Sequence, residues 1–323
     1  MNKTGIKREA LFKKYADNLQ LLAKNKLLTA NGLDKYVYIC PVCLQHFENV
    51  DGSNPLTLED APPKSLGGKA SILTCKKCNN VAGTAIDAHL STRLNELDER
   101  QLLAGTQLKV MVRIDGEAYA ATLKVEQDGK MTMLHSKRNN NPTKLESAME
   151  QLKAGSIVDM EYVKSMVIPE RFDYALLKTA YLLAFQYIGY GLMLDACYDD
   201  VRNQIQHPGQ AIYPSGFWFT PDYPKEMVGT YFITEAGLES LFVFFQVRTV
   251  KTERMFAVIL PLPGFPVGTV IGRLAERLAE EKEFHVSLYP DKPLDYITDV
   301  ENIKAMHRWI AQHRTDDTQP PNV

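Results

Sequence analysis

YICPVCLQHF, residues 38–47, and LTLEDAPPKSLGGKASILTCKKCNNVAGTAIDAHL, residues 56–90, decide how this chain folds. They contain two Cys-x-x-Cys pairs, Cys40/Cys43 and Cys75/Cys78, with thirty-one residues between them. A single such pair can be redox-active, but two at knuckle spacing supply the four soft thiolates of a closed tetrahedral zinc site. With sulfur at every position the zinc has no open coordination site, so the spacing predicts a structural ion. Such an ion stabilises a segment too poor in apolar residues to fold alone.

Outward from the knuckles, Gly67-Gly68 predicts a tight turn needing positive φ. Lys76 through Leu97 has helical spacing. Glu59 and Asp60 lie side by side before the turn, and Lys64, Lys69, Lys76 and Lys77 gather around the second pair, where they are placed to meet phosphates. Glu59 and Asp60 have a plainer reading too, as partners of Lys64 and Lys69 in salt bridges around the turn.

Taken together, these features resemble the HNH nuclease family: PKSLGG followed by CKKCNN, bracketed by the two pairs, over about residues 36–90. That resemblance implies a ββα-metal module whose hairpin carries an acidic metal ligand and a general-base histidine. The following helix supplies the remaining ligand. Carried over by position, the acidic ligand is Glu59, the helix ligand Asn79, and the base position holds Asp60 rather than histidine. The family's middle asparagine is absent, its place being taken by Ala70. The implied activity is metal-dependent endonucleolytic hydrolysis of phosphodiester bonds with Mg2+ or Mn2+, with nucleic acid as partner, DNA ahead of RNA. Asp87, further along the same helix, is a candidate additional ligand, and His46 and His89 are candidate replacements for the base. Without a histidine at position 60, a catalytically inactive zinc module that binds nucleic acid or protein is the alternative. A thiol redox protein is disfavoured, since metal consumes both pairs.

The whole chain has 323 residues, 45% of them apolar, enough for two or three domains of an ordinary globular protein. Its 37 basic and 39 acidic residues give no overall basic field, but residues 1–26 hold seven Lys and Arg against Glu9 and Asp17. No run of eighteen apolar residues and no signal-peptide core is found, so a cytoplasmic protein without membrane contact is expected. Cys197, in GLMLDACY, reads as a buried inert thiol.

Leu11, Tyr15, Leu19 and Leu22 predict an N-terminal helix over about 5–27. LKVMVRI, AYAATLKVEQ and MTMLHSK, separated by Asp115-Gly116 and Asp128-Gly129, predict an antiparallel meander. A capped helix over 142–154 and a strand in SIVDMEYV follow. FDYALLKTAYLLAFQYIGYGLML is apolar all round and predicts a buried helix. On it, Lys178 is expected to run its stem along the core and send its ammonium to solvent or Asp173. A short helix stopped by Pro208, strands around FWF, LFVFFQV and RMFAVILPL, a helix from Gly268, a strand in FHVSLY and a last helix at IKAMHRWIAQHR complete the pattern. Arg202, Gln206 and His207 read as C-terminal capping, and Phe217, Trp218 and Phe219 as core of a strand.

The expected fold is α+β, an N-terminal zinc-stabilised ββα-metal module followed by a larger mixed region. The expected divisions are 1–30, 31–105, 106–165, 166–314 and a tail at 315–323.

Overall fold

The computed structural model describes residues 2–28, 35–114, 116–136, 138–153, 155–162, 166–221, 224–280, 288–290 and 294–313. It is a mixed helix-and-strand protein. Helix α1 (Lys3–Lys24) is capped by Asn2, whose side chain accepts from the Gly5 N–H at 2.8 Å. It buries Phe12, Tyr15, Leu19 and Leu22, a stripe at spacings of three and four. A two-stranded ribbon, β1 (Tyr38–Ile39) with β2 (His46–Phe47), carries the first cysteine pair on its turn.

Strands β3 (Leu56–Ala61) and β4 (Lys69–Cys75) form an antiparallel hairpin running from Leu56↔Cys75 to Ala61↔Lys69, with a register shift between Glu59 and Asp60. The two glycines of its turn serve different needs. Gly67 takes φ of 88°, the left-handed conformation. Gly68 does not, contrary to the sequence expectation. It is small because a Cβ there would stand 1.5 Å from the Pro62 carbonyl oxygen. From Cys75 the chain passes directly into α2 (Lys76–Ala82), through a π-turn at Gly83–Asp87, and on into α3 (Ala88–Arg100).

Next come β5 (Gln107–Ile114), β6 (Glu117–Val125), β7 (Met131–His135), α4 (Pro142–Gln151) and β8 (Asp159–Tyr162). They make an antiparallel sheet in the order β7-β6-β5-β8. Leu145 and Ala148 of α4 close its core against Leu108, Val110, Val112 and Leu123. Asn141 caps α4 and Pro142 opens it, as the sequence predicts. Asp115 of the first predicted turn lies outside the described residues.

Helix α5 (Pro169–Ile188) is followed by α6 (Tyr190–Met193), α7 (Asp199–Gln206), β9 (Trp218–Phe219), β10 (Gly229–Ile233), β11 (Leu241–Arg248), β12 (Glu253–Leu260), α8 (Val267–Glu280), β13 (Leu288–Tyr289) and α9 (Val300–His313). The five strands form an antiparallel sheet, β13-β10-β11-β12-β9. Part of the predicted strand at FHVSLY and the tail at 315–323 lie outside the described residues.

Residues 1–91, 169–249 and 253–323 form one compact unit, and 92–168 with 250–252 a second. The expected boundaries at 105/106 and 165/166 therefore do not coincide with the division. The first 91 residues join the C-terminal elements because α5, buried on nearly every side, packs against β3 and β4 as well as against β10, β11 and β12.

Candidate metal centre

The ligand sulfurs of Cys40, Cys43, Cys75 and Cys78 all lie within 4.8 Å of one another, with Cys43 and Cys75 3.7 Å apart. Thiolates at ~2.3 Å around a tetrahedral ion stand ~3.8 Å from each other, so the set fits a metal ion such as zinc. The backbone builds the cradle. Leu44 takes φ of 57° and returns its N–H to the Cys40 carbonyl at 2.9 Å, while Cys40 N–H bonds the Gln45 carbonyl at 2.9 Å. Across the centre, the Cys75 N–H points at Cys40 Sγ, 3.4 Å away.

Side chains from distant elements hold this cradle. Tyr190 Oη donates to the Ile39 carbonyl at 2.6 Å and accepts from the Ile39 N–H at 2.8 Å. Tyr181 donates to Pro41 O at 2.6 Å, Tyr38 to Leu73 O at 2.6 Å, and Gln206 to Val42 O at 3.0 Å. Tyr15, Tyr38, Phe185 and Tyr190 pack their rings together behind it. Arg202 does not cap its own helix as expected. It is buried, donating to the carbonyls of Met193 at 2.9 Å and Asp195 at 3.0 Å. Arg8, counted in the N-terminal basic run, is turned inward as well, to the carbonyls of Leu56 and Val50 and to Asp51.

A second cluster lies beneath the hairpin. Glu59, only 3% exposed, places Oε1 2.6 Å from Lys178 Nζ and accepts from the Thr74 hydroxyl at 3.0 Å through Oε2. Asp87 Oδ2 lies 2.6 Å from the same nitrogen, and its buried Oδ1 has no hydrogen-bond partner among the described residues. Lys178 therefore reaches neither solvent nor Asp173, which instead accepts from the Trp218 indole at 2.9 Å. Burial raises the carboxyl pKa of Glu59 and of Asp87, against the pull of Lys178. Burial alone would lower the ammonium's pKa, but the two carboxylates outweigh it and leave it raised. Lys178 is thus a charged ammonium held between two acids.

The remaining sequence candidates are dispersed. Asn79 donates its amide to Thr57 Oγ1 and to the Leu58 carbonyl, both at 3.0 Å, tying α2 to β3. The sequence offers Asp87 as a further ligand along the helix that carries Asn79, but the two side chains engage different partners. The π-turn between them adds a residue to the turn, and Asp87 engages Lys178 while Asn79 engages the hairpin. Glu59 pairs with Lys178 rather than with Lys64 or Lys69. Asp60 is half-buried beyond the register shift, and its pKa is raised by burial against the opposing charges of Lys64, Lys7 and Lys178. His46 is exposed on β2. His89, half-buried on α3, is held below the usual imidazole range by burial and by Arg171. Lys64, Lys69, Lys76 and Lys77 are all exposed. Cys197 is half-buried, and its thiol pKa is raised by burial.

Compared with protein-family models, curated proteins and solved structures, this chain matches none. Among the described residues no helix is long and apolar enough to cross a membrane.

Proposed function

We propose that this chain binds nucleic acid through a zinc-stabilised, HNH-like ββα module whose hydrolytic centre is closed. The observation that carries the reading is the position of Lys178 Nζ, 2.6 Å from both Glu59 and Asp87. A catalytic divalent ion needs oxygen ligands turned toward a common, open point. Glu59 and Asp87 are turned toward an ammonium instead, and the Asn79 amide is engaged by the hairpin. These residues, as they stand, do not fit Mg2+ or Mn2+. The four cysteines do fit zinc. In this role zinc clamps the ribbon β1–β2 to the hairpin–helix junction and supplies no reactive water.

Binding is supported by four exposed lysines, Lys64, Lys69, Lys76 and Lys77, on the hairpin turn, at the start of β4 and on the first turn of α2, with Lys7 also exposed. Lysines of this kind position a phosphate backbone and carry no sequence readout. Fluorescence anisotropy with labelled duplex DNA, single-stranded DNA and RNA tests the proposal. Binding that weakens steeply with salt and is reduced by replacing the four lysines is expected. No binding at low salt to any of the three would refute it.

An active endonuclease is the second reading, and Asp60 favours it. This carboxyl is half-buried with a raised pKa, which moves it toward the range of a general base, and Lys64 and Lys7 lie near enough to oppose that shift. Mg2+- or Mn2+-dependent cleavage that is lost in both Glu59→Ala and Asp60→Ala would select this reading.

A further inference from the structure

We infer that Cys43 is the sulfur at which a small hydroperoxide attacks the four-cysteine centre, oxidising that thiolate and ending the centre's hold on its metal. The inference rests on the reading of the centre as a zinc site and is independent of whether nucleic acid binds.

The four sulfurs are not equally placed. Cys40 and Cys75 are 0% exposed and Cys78 is 8% exposed, whereas Cys43 is half-buried. A cavity of about 240 Å3 adjoins Cys43, and Gln45, Lys77, Cys78, Ile205 and His207 stand in its wall. That is less than the ~300 Å3 at which ordinary small-molecule pockets begin, so the cavity suits a reagent of a few heavy atoms. Of the two cysteines that line it, Cys43 is the less covered. The ammonium of Lys77, exposed on the first turn of α2, brings positive charge to the same wall, which favours a leaving oxygen that departs as an anion.

Sulfur that ligates a metal is held as thiolate, and the thiolate is the nucleophilic form. Cys43 Sγ attacks one oxygen of the hydroperoxide. The S–O bond forms, the O–O bond breaks, and the second oxygen leaves as alkoxide or hydroxide, to be protonated by water. Two electrons pass from sulfur to the peroxide, and Cys43 becomes a sulfenic acid. Cys75 Sγ, 3.7 Å away, then attacks that sulfur. An S–S bond forms, the S–O bond breaks, and hydroxide leaves. Cys40 and Cys78 are then the two thiolates left, too few for a closed tetrahedral site.

The test treats zinc-loaded full-length chains with hydrogen peroxide. Zinc release is followed with a chromophoric chelator, and the modified sulfurs by dimedone trapping and peptide mass mapping. Wild type, Cys197→Ser and Cys43→His are compared, histidine keeping a zinc ligand at the position while removing the thiolate. Wild type and Cys197→Ser should release zinc alike, with dimedone first on Cys43 or a disulfide joining Cys43 to Cys75. Cys43→His should keep its zinc at the peroxide dose that empties wild type. First modification at Cys40, Cys75 or Cys78 would overturn the inference. So would zinc loss from Cys43→His as fast as from wild type, or protection by Cys197→Ser. If Cys43→His does not fold, the mapping on wild type decides alone. A purified chain that takes up no zinc refutes the zinc reading itself, an outcome distinct from a zinc-loaded chain oxidised elsewhere.

Discussion

Lys178 carries its charge into the interior of the larger unit because two acids wait there, and each of the three groups depends on the others. Removing one partner of a buried ion pair leaves an uncompensated charge, a loss of about 3–5 kcal/mol. Lys178→Met should lower unfolding stability by that amount in urea titration, although methionine nearly fills the volume. A change below 1 kcal/mol would mean that the cluster is hydrated and weak. The cluster also sets a pH dependence. Burial raises the folded-state pKa of both Glu59 and Asp87, so just above the ordinary carboxylate range the folded chain binds more protons than the unfolded one. Stability from these acids is therefore present at low pH and lost as pH rises through the raised values. Between pH 4.5 and 7 the urea midpoint of wild type should fall more steeply than that of Asp87→Asn. Parallel profiles would show that Asp87 titrates alike in both states.

None of this was legible in the sequence. Lys178 and Asp87 are 91 positions apart, and nothing local to an apolar helix says which acid its lysine will meet. Asp173, five residues earlier in the chain, was the natural guess. Gly68 shows the same limit, since its constraint is the approach of the Pro62 carbonyl and not its own dihedral. A Gly68→Ala chain should lose about 3 kcal/mol, the upper end of overpacking costs, as read by denaturant melts.

Among the elements, those specified by local chemistry were legible. The two cysteine pairs, the tight turn before the second pair and the meander follow from spacing and turn residues, and the hairpin around that turn was implied by the family resemblance. The cap of α4 follows from its own residues in the same way, whereas the buried helix expected to run through to Leu194 ends at Ile188, where Gly189 takes φ of 69° and a separate α6 begins. What the pattern did not reveal is that the first knuckle is held by the C-terminal half, because tyrosines on a buried helix look like core residues. Tyr190 both donates to and accepts from Ile39, and Tyr190→Phe removes both bonds while leaving the ring packing. The expected cost is about 1–3 kcal/mol by urea titration, together with faster release of zinc to a chromophoric chelator. Unchanged zinc release would show that the thiolates alone hold the ribbon. The π-turn was equally invisible, since a helical hydrophobic pattern does not distinguish one inserted residue.

At the scale of the molecule, the unit that contains the metal centre is assembled from three separated stretches of chain. The four-cysteine cluster that could hold a metal ion lies inside that unit, so on the proposed reading zinc is a component of its core. Complete chelation should therefore unfold more than residues 38–90. Hydrogen exchange after zinc removal should show lost protection in α5 as well as at the knuckles. Protection lost at the knuckles alone would mean that α5 and the five-stranded sheet stand without them. The nearly balanced total charge also has a consequence: any hold on nucleic acid comes from a local patch. Replacing Lys64, Lys69, Lys76 and Lys77 together should reduce the slope of log affinity against log salt by up to about 3 to 4 on duplex DNA.

The most direct measurement is incubation of zinc-loaded wild-type protein with supercoiled plasmid, single-stranded DNA and RNA in Mg2+, in Mn2+ and in a chelator of hard cations, with binding followed in the same samples. A closed centre should give salt-sensitive binding and intact nucleic acid in every metal. Metal-dependent cutting that disappears in Glu59→Ala would contradict it, and would mean that Lys178 leaves the two carboxylates during turnover.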